Sequence, residues 1–104
     1  MFRLPFAALL GVPLLIGLDL PPGRAAGERS TALVTIARAN AQCLILTKTM
    51  TSVDALNIAN RFLDAQGISQ DARREVEDAP GFKDLMNRYI DERGGCQAII
   101  RQLK

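Results

Sequence analysis

Cys43 and Cys96 are the two residues of this chain with the most reactive side chains, and they stand 53 positions apart. A redox dithiol calls for a Cys-x-x-Cys spacing, or an exposed thiol beside a basic group, and the sequence offers neither. Each cysteine instead falls on the apolar side of a helical repeat. The pair therefore reads as a disulfide stapling the first helical segment to the last, with two free buried thiols as the plainer alternative. In the chain-entropy model, closing a loop of this size stabilises by about 4 kcal/mol.

The carboxylates suggest metal binding or acid/base chemistry, but their spacing supports neither. Asp64-Ala65-Gln66-Gly67-Ile68-Ser69-Gln70-Asp71 has the glycine and isoleucine of a calcium loop, yet Phe62 stands where the first ligand belongs. Asp91 and Glu92 lie between Arg88 and Arg93 and read as a solvated helix face. Gly94-Gly95 is a helix stop rather than a phosphate cradle, and Arg73-Arg74 is a surface basic pair largely cancelled by Asp71, Glu75 and Glu77. The chain has no histidine, which removes Ser/His and Cys/His nucleophile pairs, imidazole zinc sites and histidine-ligated haem. No catalytic residue, metal site or cofactor is expected, and the chain does not read as an enzyme.

Charge excludes another class. Thirteen Lys and Arg against eleven Asp and Glu leave a net charge of only +2 over 104 residues, without the basic stripe of a nucleic-acid binder.

The beginning of the chain differs in kind from the rest. Met1, Phe2 and Arg3 make a positive end, and Leu4 to Leu18 is uncharged and apolar, too short for the ~20 residues of a bilayer-spanning helix. Small residues follow at Gly23, Ala25, Ala26 and Gly27. That order is the layout of a secretory signal, with cleavage after Ala25 or Gly27. The expected division is a signal peptide over 1–27 and a helical domain over 28–104, with no stable membrane span once the leader is gone. Losing Arg3, Arg24 and Asp19 brings the net charge to +1. Export places the cysteines in an oxidising compartment.

Helical spacing runs through the remaining chain, and no segment alternates as a strand would. Leu33, Ile36, Ala37, Asn40, Cys43, Leu44 and Thr47 predict a first helix over 31–48, capped by Ser30 or Thr31. It is apolar around much of its girth and so is the element the others pack against; Arg38, Gln42 and Lys48 mark its wet side. Thr51-Ser52-Val53-Asp54 starts a second helix, with Leu56, Ala59, Phe62 and Leu63 as its buried stripe and Gly67 as its stop. Ser69 caps a third segment carrying Ala72, Val76 and Ala79. After Pro80-Gly81, the residues Phe82, Leu85, Met86, Tyr89 and Ile90 form the clearest amphipathic stripe. Cys96, Ile99, Ile100 and Leu103 repeat the spacing in a terminal helix. The predicted fold class is all-α, a small bundle of four or five short helices stapled by one disulfide.

Asn40-Ala41-Gln42-Cys43 and Gly94-Gly95-Cys96-Gln97-Ala98-Ile99-Ile100 resemble segments of small exported helical proteins of unassigned function in cyanobacterial genomes. The resemblance covers most of the chain after the leader and implies a periplasmic or thylakoid-lumen location, with an extracellular one also compatible with a leader. In general design the chain is similar to the HdeA-type acid-stress chaperones. The expected function is that of an interaction module or accessory subunit with a protein partner. The alternative is an apolar-ligand carrier or holdase-type chaperone, for which Leu56, Phe62, Phe82, Met86 and Tyr89 are the candidate pocket residues. As plain structure, the same side chains are core.

Overall fold

The computed structural model describes residues 22–104, with side chains from residue 27 onward. The expected leader as far as residue 21 lies outside the described residues. Five helices make up the described chain: α1 (Pro22–Leu46), α2 (Ser52–Ala65), α3 (Gln70–Asp78), α4 (Phe82–Glu92) and α5 (Cys96–Leu103). The chain is all-α over this range, as the spacing predicts.

α1 is the axis of the bundle. Each of the other four helices packs on it, and only α3 and α4 also pack substantially on each other. Its buried residues include Val34, Ala37, Ala39, Ala41, Cys43 and Leu44, which point in several directions around the helix. A helix apolar on so many sides is stable only when neighbours cover it on several sides. α1 nevertheless begins at Pro22, well before the predicted start at 31, and both expected cleavage points fall within it. Ser30 and Thr31 do not cap it. The Thr31 hydroxyl instead donates to the Gly27 carbonyl at 2.9 Å, a back-bond inside a running helix. Arg29 helps hold this early stretch, its guanidinium donating to the Gln66 backbone carbonyl and side-chain oxygen, each at 3.0 Å. That contact joins the front of α1 to the end of α2, so the two helices form an antiparallel pair.

Local chemistry sets the helix ends. The Thr51 hydroxyl accepts from the Asp54 N–H at 3.2 Å and the Ser69 hydroxyl from the Ala72 N–H at 3.1 Å, both at the predicted caps. α2 stops where Gly67 takes φ +75°, with Ile68 N–H bonding Leu63 O and Gly67 N–H bonding Asp64 O. This is a Schellman closure, and buried Ile68 packs back on the helix end. α1 closes in the same way with Lys48 in the left-handed position at φ 58°. Ala79 is extended ahead of Pro80, as the proline ring requires, and α4 begins after Gly81.

The buried face of α2 is the predicted one only in part: Ala59 and Leu63 lie on it as expected, and Leu56 and Phe62 do not. Ala55, Ala59 and Leu63 are buried, while Leu56 and Phe62 are 40% and 38% exposed. At about 100° per residue, those two flank the row at 55, 59 and 63 on opposite sides. Alanines at the seam bring α2 close to α1, which contributes small buried residues of its own, and the larger side chains are displaced to the flanks.

Two predicted surface arginines are also repositioned. Arg73 is 3% exposed and donates to the Ile68 carbonyl and the Asp64 carboxylate. It ties the α2–α3 connection together and is not available to a partner. Arg38, placed by sequence on the wet side of α1, is partly buried in an ion pair with Glu77 of α3. The Sγ atoms of Cys43 and Cys96 stand 2.08 Å apart, at disulfide distance, joining α1 to the first residue of α5.

Candidate binding cleft

α4 turns two different edges of its apolar stripe to two different places. Met86 and Ile90 are buried against the core. Phe82, Leu85 and Tyr89 stay half-buried and face a cleft between α4, α3 and the first half of α1. The spacing of three and four residues that makes the stripe also makes its two edges. Burial of one edge fixes the other at the mouth of the bundle.

The α1 wall of this cleft runs from Gly27 to Ile36, and α3 contributes Ala72, Glu75 and Val76, followed by Ala79 and Pro80. Its volume is about 1010 Å³. The floor is apolar, with alanines keeping it open where larger residues would fill it. Hydroxyls interrupt it at Ser30, Thr31 and Thr35; Thr35 is 7% exposed, and its hydroxyl is buried without a hydrogen-bond partner. Around the mouth stand Glu28 from α1, Glu75 from α3 and Glu92 from α4, with Arg88 as the one cation of the lining. Arg93 lies outside the lining, its guanidinium carbon 4.9 Å from the centre of the Tyr89 ring.

A second, smaller cleft of about 570 Å³ lies between α1, α2 and α4. Ile45, Leu46, Leu56 and Met86 line it, beside the Arg38–Glu77 pair. Of the five residues predicted to line one pocket, Leu56 and Met86 face this second cleft, Tyr89 faces the first, and Phe82 stands between the two and borders both. Phe62 borders neither. The α1 and α3 walls of the larger cleft, and the three glutamates at its mouth, were missed from sequence. The signal was present in Ala72, Val76 and Ala79, whose small side chains leave space beside a helix, but spacing alone does not say which neighbour leaves it unfilled.

Asp64 and Asp71, the ends of the rejected calcium loop, are held by Arg73 and Arg74 respectively. Among the described residues, no three Cys, Asp or Glu side chains are grouped to hold a metal ion, and no helix is long and apolar enough to cross a membrane. Comparison with known proteins gives no match to a family model, a curated protein or a solved structure.

Proposed function

We propose that this chain is an exported binding module, an interaction domain or accessory subunit, whose receptor surface is the cleft between α1, α3 and α4. The supporting observation is an apolar floor of Phe82, Leu85 and Tyr89 left half-covered between α1, α3 and α4. Apolar concavities with a few polar groups at the edge are the usual form of binding sites. Export rests on the leader composition, and cysteines at disulfide distance suit an oxidising compartment. The reading is non-enzymatic. To test it, a photoreactive side chain is placed at Leu85, inside the cleft, and separately at Asn57, on the exposed side of α2, in the native host. A discrete crosslinked partner is expected from position 85 and not from 57. Equal products from both positions, or none from 85, would count against the cleft.

The size of the cleft favours a second reading, an apolar-ligand carrier or holdase, because about 1010 Å³ reaches the range of small-molecule sites. Titration with an apolar dye from neutral to acid pH separates these. A carrier binds dye at neutral pH, a holdase only after acidification, and an interaction module shows no acid-triggered gain.

A further inference from the structure

Of the three hydroxyls on the α1 wall of the larger cleft, only that of Thr35 belongs to a buried residue. It is closed to solvent and has no hydrogen-bond partner. The neighbouring threonines behave differently. Thr31, one turn earlier, donates to the Gly27 carbonyl at 2.9 Å, and Thr47, just past the end of α1, donates to the Cys43 carbonyl at 2.8 Å. Bonding back to the carbonyl four residues earlier is the ordinary way for a helical threonine to satisfy its hydroxyl, and Thr35 forgoes it. A buried polar atom left unpaired is uncommon and calls for a partner. A helical threonine has two accessible χ1 positions, so one step of this side chain brings its hydroxyl to the cleft that Thr35 lines.

The rest of the lining says what that partner is. Phe82, Leu85 and Val76 give the interior an apolar surface, and every charged residue of the lining is exposed. Glu28 is engaged within the chain, and Glu75 and Glu92 stand against Arg88 and the nearby Arg93, so the mouth is close to neutral. An ionised group carried down to Thr35 would lose its water and meet no opposite charge, whereas a neutral oxygen or N–H would pair with the hydroxyl. Thr35 also stands near one end of the α1 wall, ~12 Å of helix rise from Gly27 at the other. From these features we infer that the cleft takes a neutral, elongated apolar molecule with one hydrogen-bonding group near its end, an alcohol, ketone or ester, and that Thr35 pairs with that group. A volume of about 1010 Å³ lies at the upper end of the range of small-molecule sites and accommodates such a body. This requires the cleft to be a small-molecule site, the carrier reading, and the experiment separates the two.

The probe is a neutral naphthyl ketone dye, propionyl-dimethylaminonaphthalene, whose emission shifts to the red when its carbonyl accepts a hydrogen bond. A carboxylate analogue on the same ring system serves as its charged counterpart. Binding of each to the purified, oxidised protein is read by fluorescence titration. The ketone is expected to bind about tenfold tighter than the carboxylate, or more. Thr35→Val should weaken ketone binding about tenfold, by the loss of one buried hydrogen bond, and shift the bound emission to the blue. Thr35→Ser should keep most of the affinity, because it keeps the hydroxyl. The valine variant should melt no lower than the unaltered chain, so weaker binding there is not a loss of fold. Equal ketone affinity and emission in the valine variant overturn Thr35 as the pairing residue, and a carboxylate that binds as tightly as the ketone overturns the neutral class; both results leave the cleft as a small-molecule site. Failure of both dyes to bind, or binding that neither Leu85→Asp nor the cleft-filling Ala72→Leu weakens, overturns the cleft itself.

Discussion

The guanidinium of Arg73 folds back onto the carbonyl of Ile68, donating from Nε at 3.0 Å and from Nη2 at 2.7 Å, while Nη2 also reaches the Asp64 carboxylate. The cation is buried, but the Asp64 side chain is 67% exposed, so the carbonyl contact matters more than the ion pair. Arg73→Met should cost about 2–3 kcal/mol by urea denaturation, because it removes hydrogen bonds from a charged donor to a carbonyl with no other protein partner described. Asp64→Asn should cost less than about 1 kcal/mol, and Arg74→Met, at an exposed pair, about 0.5 kcal/mol or less. Equal losses at positions 73 and 74 would refute the assignment.

Breaking the cysteine link should have a large effect. The double variant Cys43→Ala/Cys96→Ala, or reduction of the unaltered chain, is expected to lower unfolding stability by about 4 kcal/mol, from the loop it releases. Denaturation midpoints with and without reductant measure this, and coincident curves would mean the sulfurs are not bonded in solution.

Thr35 offers a change in the other direction. Its buried hydroxyl has no hydrogen-bond partner, so Thr35→Val removes an uncompensated polar atom with little change of shape. Stability should rise by about 1 kcal/mol, with a Tm increase of roughly 4–8 °C for a domain of this size. A lower Tm would mean the hydroxyl is satisfied in solution.

The glycine stops should differ in their tolerance. Gly67 and Gly94 both have positive φ, but a Cβ at Gly67 meets nothing within 4 Å, whereas at Gly94 it comes 3.2 Å from the Ala98 Cβ. Gly67→Ala should cost about 1 kcal/mol for the backbone conformation alone, and Gly94→Ala measurably more, read from parallel thermal melts. The reverse order would show that the α4–α5 turn adjusts more readily than its contacts imply.

What was legible in the sequence was what neighbouring residues decide among themselves. Thr51 and Ser69 cap, and Gly67 terminates, because the donors, acceptors and steric limits involved lie within a few positions of each residue. Leu56 and Phe62 were misplaced, and Ala55 was missed, because hydropathy ranks the two larger residues above it, while the close approach of two helices selects the smaller one. Arg73 and Arg74 are indistinguishable in sequence, and only the path of the α2–α3 connection places a carbonyl within reach of one of them. Ser30 and Thr31 have the chemistry of caps, but Arg29 found a partner on α2 and the helix continued through them. The cleft was half visible. The α4 stripe that forms its floor was plain, but the gap beside α3 depends on three helices meeting imperfectly.

Among the described residues, every helix packed on α1 follows it in the chain, which sets an order for their assembly. As the polypeptide emerges, α1 is made before α2 to α5, with apolar side chains on several of its sides and none of those four helices yet there to cover them. Each later helix shields one more strip, and the sulfur link cannot form until Cys96 at the start of α5 arrives. Before that point the half-made chain is a sticky rod, and its survival depends on how quickly successive helices reach it, or on a helper that shelters it in the meantime.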